Sequence, residues 1–197
     1  MRRLTAEGLS PGQIDALRSL AGFGSADAAR SLGQLVGPGV EMDATRAALY
    51  RLEDLEGLFA PEPFGLSVRF RAEGGARVRL LVQLTKDGAE RISQALVGEG
   101  GSYAPLQRSA LAEAANILVS SYLSGVGAAV GLTLVPSVPE LSQGPIAEAA
   151  ILAFGDLEAP LLLITDFKLA GLPLAGRIVA APEGDAIELL LSTLGAL

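Results

Sequence analysis

Apolar residues recur at helical spacing from Pro11 to Val36, and both ends of that stretch carry helix punctuation. Ser10 stands as an N-cap before a proline at the first helical position, and Gly37-Pro38 follows as a stop. A helix is therefore predicted over 11–36. The pattern changes to alternation from Phe64 to Arg71 and again from Arg77 to Leu84, with Glu73-Gly74-Gly75 between them. Two alternating runs around turn residues predict a β-hairpin. Arginines at 69, 71, 77 and 79 share one side of that alternation, so one face of the hairpin is expected to be wet. Lys86 to Val97 reads as a short helix closed by Gly98, and Gly98-Glu99-Gly100-Gly101-Ser102 reads as a linker.

The same order then returns. A helix is predicted from about Pro105 to Val130, stopped at Gly131, with a short strand over Leu132–Val135 ended by Pro136-Ser137-Val138-Pro139. A short apolar segment follows at Ile146–Phe154. A second hairpin is predicted from Pro160–Leu169 and Leu174–Ala181, and a last helix from Asp185 to Leu194, closed by Gly195. A shift of 94 positions sets Ala16 over Ala110, Leu17 over Leu111, Ala21 over Ala115, Gly33 over Gly127 and Gly37 over Gly131. Near the ends, a shift of 97 pairs Val82 with Val179, Ala89 with Ala186 and Gly98 with Gly195. Order and matches together suggest one domain over 1–197 built by duplication, with repeats at about 11–98 and 105–195. Hairpins separated by helices favour an antiparallel α+β fold with helices over one sheet face.

Composition narrows what such a fold can do. Of 197 residues, 50% are hydrophobic and 19% charged, enough apolar material for a well-buried core. The net charge of -7 argues against a nucleic-acid or anionic-membrane partner, because both need a basic face. Cysteine and histidine are absent, which removes disulfides, thiolate nucleophiles, Ser-His-Asp triads and most transition-metal sites. Chemistry is left to carboxylates, amides, hydroxyls, arginines and two lysines, Lys86 and Lys168. Residues 114–138 carry no charge and are long enough to span a bilayer. Their serines, glycines and proline favour a buried helix followed by a strand. The N-terminus has two arginines but no apolar run after them, so a cytoplasmic protein is expected.

One polar cluster stands out. Ser109, Glu113 and Asn116 are spaced i, i+4, i+7 on the second long helix, and Glu113 is the only charged residue from Leu111 to Val138. That spacing places all three on one helical stripe, which is either the solvent-facing side of an amphipathic helix or a site. Other groups carry less. Glu53, Asp54 and Glu56 read as a solvated acidic turn, since calcium loops need a denser ligand pattern. The glycines at 125, 127 and 131 lack the Lys-Ser/Thr of a phosphate loop and read as close helix packing.

The run Ser109-Ala-Leu-Ala-Glu113-Ala-Ala-Asn116, with Pro139 after 22 intervening residues, resembles the signature of the CheC/CheX/FliY chemotaxis phosphatases. Thr165 to Val179 is similar to that family's last hairpin, and Asp15-Ala-Leu-Arg to the start of its first motif. The resemblance covers nearly the whole chain. It implies a CheC-like α+β fold, in which two pseudo-twofold-related helix-plus-hairpin repeats form an antiparallel sheet with long helices packed on it. It also implies hydrolysis of the aspartyl phosphate on a CheY-like response regulator. On that reading Asn116 positions the attacking water, Glu113 pairs with the partner's lysine, Ser109 is a peripheral partner contact and Pro139 is the motif proline.

The implied magnesium and the phosphorylated aspartate belong to the partner, so no cofactor of the chain's own is expected. The first half departs from the motif. Asp15 is kept, but Ser19 stands where the Glu belongs, Gly22 where the Asn belongs and Thr45 where the proline would fall. The first site is therefore expected to be inactive and its residues ordinary helix surface. The runner-up reading is a non-catalytic module of the same fold that sequesters phospho-regulator, binds a CheD-type receptor deamidase or sits in a flagellar switch. No nucleic acid or membrane partner is expected, and a monomer fits two repeats in one chain.

Overall fold

The computed structural model describes residues 8–50, 64–98, 104–157 and 160–197. The acidic group at 53–56 and most of the linker at 98–102 lie outside them. Helix α1 runs Pro11–Val36, as its punctuation predicts. Ser10 Oγ accepts from the Gln13 N–H at 3.3 Å and Gln13 Oε1 accepts from the Ser10 N–H at 2.9 Å, a reciprocal cap. Strands β1 (Glu41–Met42), β2 (Arg46–Leu49), β3 (Phe64–Gly74) and β4 (Val78–Thr85) follow, then helix α2 (Lys86–Val97). Helix α3 spans Ala104–Val130. After it come β5 (Leu134–Pro136), β6 (Glu140–Pro145), helix α4 (Ile146–Phe154), β7 (Leu161–Leu169), β8 (Leu172–Pro182) and helix α5 (Asp185–Thr193).

The strands form one antiparallel sheet in the order β1-β7-β8-β4-β3-β5, with β2 also on β7 and β6 also on β3. Each hairpin is thus flanked by short strands from the other half of the chain. Exchanging β1–β4 with β5–β8 turns this order into its own reverse. The centre of the sheet is the β4–β8 pair, from Val78↔Pro182 to Leu84↔Gly176.

Two layers of core lie on opposite faces. Leu66, Val68, Phe70, Leu80, Val82, Phe167 and Ile178 point to the side covered by α1, α2, α3 and α5. Helices α1 and α3 meet where glycines permit it. A Cβ on Gly24 would lie 2.7 Å from the Tyr122 carbonyl oxygen, and one on Gly125 would lie 2.8 Å from that of Phe23. Ser121 Oγ donates to Ser31 Oγ at 2.7 Å beside this crossing. Tyr122 is buried here, and desolvation raises its hydroxyl above the ordinary value of 10.0.

The structure corrects the expectation of helices over one face only. The apolar segment Ile146–Phe154 is helix α4, and it packs on the opposite face against Leu81, Leu162, Ile164 and Val179. The arginine face of the first hairpin is correspondingly less wet than alternation suggests. Arg79 is mostly buried beside α4, donating to Glu183 at 2.8 Å and to the Ala153 carbonyl at 3.1 Å while pairing with Asp156. That hydrogen bond holds the Asp156 carboxyl below its usual range. Arg69 pairs with Glu140 at 2.9 Å; Arg71 and Arg77 are exposed.

A second correction concerns the strand after α3. It begins at Leu134 rather than Leu132, because Gly131 takes a left-handed turn (φ 67°) and the Leu132 N–H closes the helix end on Gly127 at 2.9 Å. Residues 114–138 therefore split into helix and strand. Among the described residues no helix is long and apolar enough to cross a membrane.

Candidate functional site on helix α3

Helix α3 buries Leu111, Ala114, Ala115, Leu118, Val119, Tyr122 and Leu123, and this fixes which side remains outside. Ser109, Glu113, Asn116 and Ser120 fall within about 60° of one another around the helix axis. Ser109 and Glu113 are exposed, while Asn116 and Ser120 are half-buried at the edge of the stripe. No described residue hydrogen-bonds or ion-pairs with the side chains of Ser109, Glu113, Asn116 or Ser120. An exposed carboxylate and a half-buried amide thus stand one turn apart on a helix that carries no other charge after Arg108.

The spacing in the sequence brought these three motif residues to one surface, and the fold keeps them there. Pro139 is on a different element, half-buried in the 137–139 connection between β5 and β6. Hydrogen bonds to the neighbouring strand hold that connection: Ser137 N–H donates to the Arg71 carbonyl at 2.7 Å, and Ser137 Oγ accepts from Arg71 N–H at 3.0 Å. Helix α3 packs on both β5 and β6, so the proline's loop belongs to the scaffold of the α3 face.

The matching positions of α1 look different. Asp15 is exposed and tied to Arg18 at 2.9 Å, while Ser19 and Gly22 are exposed. A Cβ built on Gly22 would meet nothing within 4 Å, so this glycine has no packing duty inside the chain. Phe23, beside it, is 59% exposed. Thr45, at the register of Pro139, is buried and bonds through its hydroxyl to Thr165 at 2.8 Å; Thr165 in turn bonds to Ser25 on α1 at 3.1 Å. The sequence reading missed this chain of hydroxyls, since Ser25, Thr45 and Thr165 are far apart along the chain and single polar residues at apolar-patterned positions gave no signal.

Several charged groups elsewhere are engaged with each other. Asp166 is within 2.8 Å of Arg46 and 3.1 Å of Arg177, and Lys168 pairs with Asp43 at 2.6 Å, which raises the lysine. Burial lowers Arg177. Among the described residues no group of three or more acidic side chains could hold a metal ion. Glu113 differs from these charges in standing alone.

No protein-family model matches the chain. Two relatives align over nearly all of it. One is named putative CheY-P phosphatase CheC1 of Halobacterium salinarum, 24% identical over 189 residues, covering 92% of this chain and 96% of the relative. The other is named CheY-P phosphatase CheC of Bacillus subtilis, 27% identical over 205 residues, covering 96% and 97%. Among solved structures, Thermotoga maritima FliY superposes with a TM-score of 0.73 at 15% identity, covering 96% of this chain and 99% of that one. Along nearly its whole length the chain is thus similar in sequence to two proteins named CheC, and its α+β fold matches that of FliY.

Proposed function

We propose that the protein is a phosphatase that hydrolyses the aspartyl phosphate of a CheY-like response regulator, working through the α3 face alone. The observation that carries this reading is the unpaired Glu113–Asn116 stripe on a helix with no other charge after Arg108. The names of the two CheC relatives support it. In this reading Glu113 pairs with the lysine beside the partner's phosphate and sets the register of α3 against the partner's active site. The Asn116 amide holds a water in line with the phosphorus. Attack of the water oxygen breaks the bond to the partner's aspartate, which leaves as a carboxylate, and inorganic phosphate is released. Acyl phosphates are activated already, so positioning and charge stabilisation suffice and no strong base is required. Magnesium and the phosphorylated residue are the partner's.

The two halves are read as duplicated copies, of which the first has lost its chemistry. Support comes from the strand order, which is its own reverse on exchange of halves, and from Ser19, Gly22 and Thr45 in place of the motif's Glu, Asn and Pro. The same loss favours a second reading, a non-catalytic module that holds phospho-regulator, binds a CheD-type deamidase or serves in a flagellar switch. Release of phosphate from the CheY-like regulator of the same organism, charged with acetyl phosphate, separates the two. The enzyme accelerates release and Asn116→Ala loses most of that acceleration. Equal rates with wild type and without protein would favour the module.

A further inference from the structure

The α3 stripe continues past Asn116. Ser120 lies at i+4 from it, the spacing at which side chains on a helix are neighbours. The residue is half-buried and its hydroxyl has no partner among the described residues. Two other helical hydroxyls close back on their own helix: Ser25 donates to the Ala21 carbonyl at 2.9 Å and Thr193 to the Leu189 carbonyl at 2.8 Å. The adjacent Ser121 faces α1 and bonds Ser31. Ser120 is thus a hydroxyl held at the edge of the stripe, one turn from an amide that also lacks a partner.

The first half supplies an internal control. The shift that sets Gly22 against Asn116 sets Ala26 against Ser120. The helix without the amide is also the helix without the hydroxyl. An unpartnered Asn side chain rotates and offers either its oxygen or its NH2 group, whereas holding a water in one orientation requires one of them. Resting on the phosphatase reading and deepening it, we propose that Ser120 is a positioning residue for Asn116. With the regulator docked, Ser120 Oγ accepts from Asn116 Nδ2 and leaves Oδ1 turned to the attacking water.

The test compares wild type, Ser120→Ala, Ser120→Thr, Asn116→Ala and the Asn116→Ala/Ser120→Ala pair in steady-state phosphate release from the acetyl-phosphate-charged regulator. One orienting hydrogen bond corresponds to roughly a fivefold to tenfold fall in kcat for Ser120→Ala, with KM unchanged. Ser120→Thr keeps the hydroxyl and restores kcat to within about twofold of wild type. Adding Ser120→Ala to Asn116→Ala produces no further loss, because the group it positions is gone. An unchanged kcat in Ser120→Ala, a raised KM alone, no rescue by threonine, or the same fractional loss without Asn116 overturns the assignment. The phosphatase reading fails separately, and takes this role with it, if wild type does not accelerate release or Asn116→Ala matches it.

Discussion

Helices α1 and α3 cross at Gly24 and Gly125 and cover the same sheet, yet they spend their polar residues in opposite directions. On α3 the polar groups point outward as Ser109, Glu113, Asn116 and Ser120, and the positions beneath are apolar: Val119 is fully buried, as is Val68 on the sheet. On α1 the outward positions are Asp15, Ser19, Gly22 and Ala26, and the hydroxyls lie inside, where Ser25, Thr165 and Thr45 join helix, sheet and loop. By the repeat register Ser25 matches Val119, Thr165 matches Val68 and Thr45 matches Pro139. One helix is anchored partly by hydrogen bonds and shows a plain surface; the other is anchored by apolar packing and exposes an unpaired carboxylate and amide. Similar backbone elements can therefore be held in place by different chemistry, and only one of these two faces offers groups free to meet a partner.

The largest expected effect breaks this contrast at the surface of α3. Glu113→Ala and Asn116→Ala should each lower kcat/KM by about a hundredfold, on the scale of losing one charge-stabilising or water-positioning group. Steady-state kinetics should divide them, with Glu113→Ala acting mainly on KM and Asn116→Ala mainly on kcat. Both side chains lie outside the core, so melting should change little. A large loss of stability in either variant would place these groups in the core instead.

Next in size is a break in the hydroxyl chain that joins α1 to β7. Thr165→Val removes the shared partner of Thr45 and Ser25, leaving a buried hydroxyl unsatisfied at a cost of about 1–3 kcal/mol. Urea denaturation should register this loss while phosphate release, on the proposed role of the α3 face, should stay unchanged. Stability equal to wild type would mean that the hydroxyl chain does not anchor α1.

A smaller, opposite change is expected at Gly22. Its helix position is exposed and open, so Gly22→Ala should stabilise the protein by about 1 kcal/mol. Gly24→Ala, two residues on, should destabilise it, since the added carbon would meet the Tyr122 carbonyl at 2.7 Å. Two neighbouring glycines responding with opposite sign in thermal melts would separate a packing glycine from an unconstrained one. The smallest effect is that of Ser19→Ala, where turnover should equal that of wild type. A measurable fall would mean that the α1 face still takes part in the chemistry.

Much of this architecture was legible in the chain. The extents of α1, α2 and α3 follow from cap residues and stop glycines within a residue or so, because those signals act locally on the backbone. Both long hairpins were readable from alternation. Strands β1, β2 and β6 were not, since runs such as Arg46-Ala-Ala-Leu49 carry no period and become strands only by pairing with β7 or β3. The stripe of Ser109, Glu113 and Asn116 was readable from its spacing, but exposure was not, as a polar triplet at helical spacing can equally line a buried network.

What the amino-acid order determined by itself is whatever depends on near neighbours: helix limits, turn positions and the face shared by residues three and four apart. Tertiary structure alone decided which face of each helix meets the sheet, that α4 crosses to the opposite side, and that Arg79 is drawn into a paired, mostly buried position beneath it. It also decided that Ser25, Thr45 and Thr165 meet. These outcomes depend on contacts between residues scores of positions apart, where burial of apolar surface outweighs local preference and every buried polar group must find its partner in another element.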